Sequence, residues 1–180
     1  MYAILFKSSG DTLESFGKDG RYPGAGIGCT GILHTWGQKL DLHPHIHYIV
    51  PAGGIDKTGT WRHTRCEGKY LFPVKAMSTV FRGKFVTMLK AFLQTKAIEM
   101  SDELRHDIYK RAWVVYARRP FGGAVQVIEY SGRYTHKIAI SNHRIQSMDN
   151  GTVSYYHLER RSISEKCRQR RVLWNRKRMR

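Results

Sequence analysis

The sequence has few cysteines, few acidic residues and no long apolar run. Its three cysteines, Cys29, Cys66 and Cys167, are far apart, which argues against a disulfide framework and against a four-cysteine zinc site. The apolar opening Met1–Phe6 meets Lys7 at once, so it is too short for a signal peptide or a membrane span. These absences predict a cytoplasmic protein with no membrane partner.

Positive charge dominates what remains. The 180 residues include 31 Lys and Arg against 14 Asp and Glu, which gives a formal net charge of +17 at pH 7 with His neutral. Phosphates attract these cations and binding releases condensed counterions, so the balance predicts a polyanionic partner. A hydrophobic fraction of 41% is enough for a packed core. Charge alone leaves DNA, RNA and an anionic membrane surface open as partners.

The pattern of apolar and turn residues predicts an α+β domain with a mostly antiparallel sheet. The turn signal Asp149-Asn150-Gly151 favours a hairpin, and apolar residues recur at helical spacing after Pro73. Residues 1–22 are open between a helix and a strand. Strands are expected at 29–36, 45–50, 113–117, 137–145 and 152–156, and helices at 73–96 and 124–134.

The last 21 residues have a different composition from the rest. Arg and Lys dominate residues 160–180, and no apolar period persists there. The sequence therefore predicts a catalytic domain at 1–159, followed by a basic and flexible tail at 160–180. A solvated surface segment and a DNA-gripping arm are both open as roles for this tail.

Histidines are concentrated in one short segment. On a strand, His45 and His47 point to the same face, and His34 lies across the predicted hairpin where it can supply a third nitrogen. Three protein ligands leave positions open for water or substrate, which is typical of a catalytic metal site. His43 shares their parity, but Pro44 is expected to interrupt the strand, so His43 is assigned to the surroundings or the surface. Partly buried histidines satisfied by hydrogen bonds are the alternative.

This histidine segment resembles a known family. His45-Ile46-His47, followed by a Gly pair, resembles the histidine–hydrophobic–histidine motif of the HUH endonuclease superfamily. The longer run LHTWGQKLDLHPHIHYIVPAGG resembles the rolling-circle, two-tyrosine transposases of bacterial insertion sequences. The resemblance implies an HUH endonuclease-like fold, with a mostly antiparallel central sheet and flanking helices. It also implies His34, His45 and His47 as metal ligands, with Gln38 as an alternative to His34.

The same family carries two tyrosines on one helix, and the segment 128–145 resembles that part of it. Tyr130 and Tyr134 are four residues apart, so they share one face of a helix. The resemblance implies that one phenol attacks the scissile phosphate, leaving a 5′-phosphotyrosine and a 3′-hydroxyl, while the other accepts a strand in turn. Ser131 departs from the usual apolar residue, and Gly132 weakens the helix. Tyr130 precedes this weak point and is preferred as the first nucleophile.

The resemblance implies a metal-dependent tyrosine transposase that nicks and rejoins single-stranded or hairpin DNA during transposition. The expected cofactor is a divalent ion, Mg²⁺ or Mn²⁺, although imidazole ligands also suit Zn²⁺. Basic side chains near the tyrosine segment are expected to contact phosphates. These are Arg118, Arg119, Arg133, Lys137 and Arg144.

The resemblance covers about residues 1–153 and then gives way to the Arg-rich tail. Family members usually carry a cysteine-rich zinc segment upstream, which this sequence does not contain. The sequence therefore predicts a truncated or frameshifted copy. Two other functions stay open. One is an inactive remnant that only binds nucleic acid, and the other is a plasmid relaxase or replication initiator.

Overall fold

Helices and antiparallel strand pairs make up the part of the chain that the structure describes, which confirms the predicted α+β class. The computed structural model describes residues 1–37, 41–64, 71–118, 120–135, 144–149, 152–159 and 168–175, with the backbone alone for 133–135, 157–159 and 168–175. The elements, in chain order, are α1 (Tyr2–Lys18), β1 (Thr30–Trp36), β2 (Leu42–Ile49), β3 (Gly53–Ile55), β4 (Trp61–His63), α2 (Val74–Thr95), α3 (Asp102–Lys110), α4 (Ala124–Thr135), β5 (Ile145–Asp149), β6 (Thr152–Glu159) and β7 (Arg168–Asn175).

These elements divide into two units. The first unit comprises Met1–Ile32 and Ile46–Val127, and the second comprises Leu33–His45 and Ile128–Arg180. Within the described residues, the strands form three small sheets, β1-β2, β3-β4 and β5-β6-β7. The first unit holds α1, α2, α3 and the β3-β4 hairpin, and the second holds the three-stranded sheet. The division passes through β1, β2 and α4, so these elements contribute residues to both units.

The first segment of the chain, left open between helix and strand, is the helix α1. Its buried residues Ser8, Thr12, Leu13 and Phe16 lie four, five and eight positions after the first, which places them on one helix face. The hydroxyl of Ser8 donates to the Leu5 carbonyl at 3.2 Å, and that of Thr12 donates to the Ser8 carbonyl at 2.7 Å. The two buried hydroxyls are therefore satisfied inside the helix, and Leu13 and Phe16 face the core.

An aromatic cluster forms the core of the first unit. The rings of Phe16, Tyr22 and Phe72 lie 5.4 to 5.5 Å apart between centroids, and Leu13 and Met77 complete the buried group. Met77 comes from α2, which matches the predicted helix at 73–96 to within one residue at each end. The cluster thus holds α1, the following turn and the start of α2 together.

The β1-β2 hairpin is attached to α1 through Tyr48. The Tyr48 hydroxyl lies 2.9 Å from the Ser9 hydroxyl, and its ring meets that of Phe6 edge-on at 6.3 Å. Gly31 lies beneath this ring, and a Cβ there would come within 2.7 Å of it. Burial raises the pKa of the Tyr48 phenol, so the hydroxyl remains protonated and available as a donor. One face of the hairpin is therefore fixed against the helix.

The predicted strand at 113–117 is wrong. The segment is extended but is not a strand within the described part of the chain. Its side chains alternate as predicted, because Trp113 packs on phenylalanine rings of α2 at 5.1 Å and Val115 contacts the core, whereas Val114 and Tyr116 are 85% and 78% exposed. A strand also requires a hydrogen-bonded neighbour, which the alternation of side chains does not specify.

The basic tail contains a strand, which corrects the expectation of a flexible segment for eight of its residues. β7 pairs antiparallel with β6 along its whole length, from Thr152 opposite Asn175 to Glu159 opposite Arg168. Strand pairing uses backbone N–H and C=O groups, so an Arg-rich segment without an apolar period can occupy a sheet edge. The remainder of the tail, 160–167 and 176–180, lies outside the described residues.

Another predicted hairpin is confirmed in the same sheet. Asp149 pairs with Thr152 across the β5-β6 connection, as the Asp-Asn-Gly signal predicted. The expected strand at 137–145 lies mostly outside the described residues, and β5 begins only at its last position, Ile145. Turn chemistry was therefore a better guide here than the limits of the apolar pattern.

The helix α3 was not predicted, although its start carries a recognisable signal. The Ser101 side chain accepts a hydrogen bond from the Leu104 backbone N–H at 3.2 Å, and Asp102 and Glu103 occupy the first turn. A serine N-cap followed by acidic residues stabilises a helix start, both by satisfying an N–H group and through the helix dipole. None of the helices in the described part of the chain is long and apolar enough to cross a bilayer.

The attachment of the hairpin to α1 predicts a stability effect. Replacing Tyr48 with Phe keeps the ring but removes the hydrogen bond to Ser9, so the free energy of unfolding should fall by about 1 kcal/mol. Urea denaturation measures this change. Tyr116→Phe is the matched control, because that ring is 78% exposed and its loss of a hydroxyl should change little. Equal stabilities for the wild type and Tyr48→Phe would contradict the assigned contact.

The pairing of β7 predicts that the tail contributes to stability. Truncation after Glu159 removes β7 and leaves β6 with one neighbour, so the thermal midpoint should fall by about 2–4 °C for each kcal/mol lost. Truncation after Asn175 is the control, because it removes the last five residues, four of them basic, and keeps the strand. Calorimetry of the three chains compares them, and an unchanged midpoint after truncation at Glu159 would show that β7 adds no stability.

Candidate metal centre and tyrosine helix

The structure brings together the three histidines that the sequence analysis assigned to a metal. His34 comes from β1, and His45 and His47 come from β2. One ring nitrogen from each lies within 4.8 Å of the other two, and all three side chains are half-buried. His45 and His47 share one face of β2 because they are two residues apart, and the pairing of β2 with β1 brings His34 beside them.

The facing of the hairpin follows from two cross-strand contacts. The rings of His34 and His45 lie 5.3 Å apart between centroids, and Gly31 lies against Tyr48. From the first contact to the second, the residue number falls from 34 to 31 on β1 and rises from 45 to 48 on β2. The two strands are therefore antiparallel. Since successive side chains alternate, His47 points away from the face on which Tyr48 contacts α1. The histidine face is therefore the one turned away from the helix.

The ring of His45 is oriented by its own strand. Its Nδ1 lies 2.7 Å from the backbone carbonyl oxygen of His43. A carbonyl only accepts hydrogen bonds, so Nδ1 carries the proton and Nε2 is the nitrogen with a lone pair for a metal. Metal-bound histidines are commonly held in this way, and such a partner fixes both the tautomer and the ring plane.

The strand β2 begins earlier than predicted and runs through Pro44. It starts at Leu42, so the expectation that Pro44 interrupts the strand is wrong. Within the described residues β2 pairs with β1 alone, and proline is tolerated on a strand with an open edge. His43 thus stays on the strand, its ring 5.1 Å from that of His45. Gln38, the alternative ligand, lies outside the described residues.

The donor set fits a divalent transition-metal ion. Neutral imidazoles are good ligands for Mn²⁺, Zn²⁺ and related ions, with metal–nitrogen distances of about 2.0–2.1 Å for zinc. One ring nitrogen of each histidine lies within 4.8 Å of the other two, so the three side chains are close enough to share one ion. Three protein ligands would leave further positions of a bound ion to water or a substrate oxygen.

Both predicted nucleophiles lie on α4. Tyr130 is half-buried, and Tyr134 follows one turn later on the same helix, for which the backbone alone is described. Gly132 lies between them without ending the helix. At the start of α4, the Gln126 side chain accepts a hydrogen bond from the Gly122 backbone N–H at 2.7 Å, which stabilises the first turn. The spacing of the tyrosines is therefore that of neighbours on one helix face.

Arg144, a predicted phosphate contact, immediately precedes β5 and is bonded to the second unit's sheet. Its Nε donates a hydrogen bond to the Tyr156 backbone carbonyl at 2.7 Å. Burial raises the pKa of the neighbouring Tyr155 phenol, and the charge of Arg144 opposes that shift. The guanidinium has further N–H groups beyond Nε, so a structural bond and a phosphate contact are compatible.

Arg118 is exposed, and its guanidinium carbon lies 6.0 Å from the centre of the Tyr116 ring. This cation–π contact keeps the charge near the extended segment that follows α3. The remaining predicted phosphate contacts lie where no side chain is described: Arg119, Arg133 and Lys137.

Comparisons with known proteins identify the family. The family model described as "Putative transposase" matches residues 28–177, a range that includes the histidine cluster, both tyrosines and β7. The chain belongs to this transposase family. The resemblance seen in the histidine and tyrosine segments is thereby confirmed at the level of the family.

Two curated relatives extend this result. Over 180 residues the chain is 36% identical to "Putative transposase y4qJ" of Sinorhizobium fredii (strain NBRC 101917 / NGR234), covering 91% of this chain and 45% of the relative. Over 174 residues it is 25% identical to "Transposase for insertion sequence element IS801" of Pseudomonas savastanoi pv. phaseolicola, covering 88% and 39%. The chain thus spans less than half the length of these relatives. No solved structure shows a significant match to it.

The histidine cluster predicts metal affinity that depends on β2. Replacing His45 and His47 together with Ala should weaken Mn²⁺ binding by ~100-fold or more, because even partners outside the ligand set change affinity by about 10–100-fold. Titration calorimetry measures the affinity. His63→Ala is the matched control, because that histidine is exposed on β4 and does not belong to the cluster. Equal affinities for the wild type and the double variant would exclude this site.

Proposed function

We propose that this protein is the catalytic part of a metal-dependent tyrosine transposase, which cleaves and rejoins single-stranded DNA through a 5′-phosphotyrosine intermediate. The observation that carries the proposal is the convergence of His34, His45 and His47 on one face of a hairpin. Membership of a transposase family and a relative named as an insertion-sequence transposase support DNA as the substrate.

The three histidines would hold a divalent ion, with Mn²⁺ or Mg²⁺ as the cellular candidates. Imidazole ligands favour Mn²⁺ over Mg²⁺ in affinity, whereas Mg²⁺ normally prefers oxygen ligands. When bound, such an ion supplies Lewis-acid stabilisation of the charge on a phosphate oxygen. The hairpin contributes rigid placement, since Tyr48 fixes its other face and the His43 carbonyl sets the ring of His45.

The nucleophile in this proposal is a phenol oxygen on α4. Its attack forms a bond to phosphorus while the bond from phosphorus to the 3′-oxygen breaks, and the departing oxygen takes up a proton to become a hydroxyl. The phenol loses its proton in the same step. One phosphodiester replaces another, so the bond energy is retained and a 3′-hydroxyl can reverse the reaction on a new strand. No external energy source is required for strand transfer.

Two tyrosines on one helix face allow two strands to be handled in sequence. Tyr130 is assigned the first cleavage, because it is half-buried and precedes Gly132, so its position is better supported. Tyr134 is assigned the second strand. A phenol has a pKa of about 10 in water, so either residue is a weak nucleophile unless its proton is removed as it attacks.

The charge of the chain supports a nucleic-acid substrate. A formal net charge of +17 attracts phosphates at long range, and Arg118 presents an exposed guanidinium for a direct contact. The same charge also favours a second function, binding of nucleic acid without cleavage, because attraction of phosphates requires no catalytic residue. Nicking of DNA separates these two functions.

The tyrosine assignment predicts distinct defects for the two residues. In wild-type protein with Mn²⁺, a labelled single-stranded oligonucleotide carrying a cleavable site should form a covalent adduct that survives denaturation. Tyr130→Phe removes only a hydroxyl, so the fold should persist while the adduct falls by about 10²-fold or more. Tyr134→Phe should retain first cleavage and lose strand transfer.

Two variants complete this experiment. Tyr109→Phe is the matched control, because that tyrosine is 50% exposed on α3 and should form the normal adduct. The double variant at Tyr130 and Tyr134 should form none, and full adduct formation by it would rule out both residues as nucleophiles. Binding of the oligonucleotide by wild-type protein without any nicking would instead support the second function.

A further inference from the structure

The histidine face of the hairpin extends beyond the metal ligands to a tryptophan. Trp36 is the last residue of β1, two positions after His34, so the two side chains lie on the same face. The register that sets His34 beside His45 places Trp36 across from His43. The Trp36 side chain is 49% exposed. The indole of Trp36 is therefore exposed to solvent two residues along the strand from His34, on the face of the candidate metal ligands.

We propose that Trp36 is a stacking platform for an unpaired nucleobase of the DNA strand whose phosphate is held at the histidines. Base–aromatic stacking is a main source of affinity in single-strand binding, and it tolerates any base because every base has a π-face. The inference rests on the proposed function, which supplies the position of the phosphate. It adds a binding subsite and a selectivity for unpaired nucleotides.

The spacing along the strand suits this role. Side chains two residues apart on a strand are about 6.6–6.8 Å apart, which corresponds to about two stacked nucleotides at about 3.4 Å each. A base one or two nucleotides from the cleaved phosphate can therefore reach the indole while the phosphate stays at the histidines. In a duplex the faces of the bases are covered by their neighbours, so this contact requires an unpaired strand.

The surroundings of Trp36 favour a base over a phosphate. The next residue, Gly37, donates a backbone hydrogen bond to the Asp41 carbonyl at 3.0 Å, which closes the turn at the end of the hairpin. A Cβ at Gly37 would lie 2.6 Å from a carboxylate oxygen of Asp41, so the carboxylate lies against the backbone beside Trp36. Negative charge here repels a phosphate, whereas an uncharged base meets no such barrier. The hydrogen bond between Gly37 and Asp41 holds the end of β1 against the start of β2.

Binding of a labelled single-stranded oligonucleotide, measured by fluorescence anisotropy, tests the proposal. In a Tyr130→Phe and Tyr134→Phe background, which prevents covalent adducts, Trp36→Ala should weaken binding by about 5- to 150-fold, the equivalent of ~1–3 kcal/mol. Trp36→Phe should retain most of the affinity. The slope of log affinity against log salt should not change, because no phosphate contact is lost. Trp61→Ala is the matched control, because its indole is 45% exposed on β4.

An oligonucleotide series with one abasic position locates the base. Removal of the base that stacks on Trp36 should weaken binding by the protein that retains Trp36. The same removal should leave binding by Trp36→Ala unchanged. Equal affinities of Trp36→Ala and its parent would overturn the inference. A loss of Mn²⁺ affinity in Trp36→Ala would also overturn it, because the residue would then be a structural part of the hairpin. Failure of the unmodified protein to nick DNA would instead overturn the proposed function, so the two failures are distinguishable.

Discussion

The contact between Tyr48 and α1 is the constraint on which the candidate site depends. Its ring meets Phe6, its hydroxyl meets Ser9, and Gly31 makes room for it. Since side chains alternate along a strand, fixing this one residue against the helix decides the direction of every other residue of the hairpin. His45 and His47 must then lie on the other face, where His34 joins them. A slip of one residue would turn these histidines to the opposite face of the hairpin.

The described residues carry two kinds of candidate chemistry on separate elements. The strands place three imidazoles around one point, with the His43 carbonyl setting the tautomer of His45. The helix α4 carries two phenols at the spacing of one turn. Rigid strands suit metal ligands, which must keep fixed distances, and a helix suits a pair of alternating nucleophiles, which need a common direction. The proposed mechanism uses both properties and requires no energy source beyond the DNA itself.

Backbone pairing at the sheet edge explains how residues 168–175, in the Arg-rich end of the chain, form a strand. β7 pairs with β6 residue by residue, and so covers an edge that an Arg-rich segment can occupy through its backbone alone. The large positive charge of the whole chain, +17, favours a polyanionic partner and opposes self-association by mutual repulsion. Basic residues of the tail therefore pair in a sheet through their backbones and also add to the positive charge of the chain.

The sequence by itself determined the features that depend on local periodicity and side-chain chemistry. Apolar spacing gave α2 to within one residue, the Asp-Asn-Gly signal gave the β5-β6 turn, and the histidine pattern gave the three residues that converge on one point. Only the tertiary structure decided which backbones pair. It left the segment 113–117 without a strand partner in the described residues, made a strand of 168–175, and kept Pro44 within β2. The alternation of side chains can be predicted from a segment alone, whereas the strand that hydrogen-bonds to it belongs to another part of the chain.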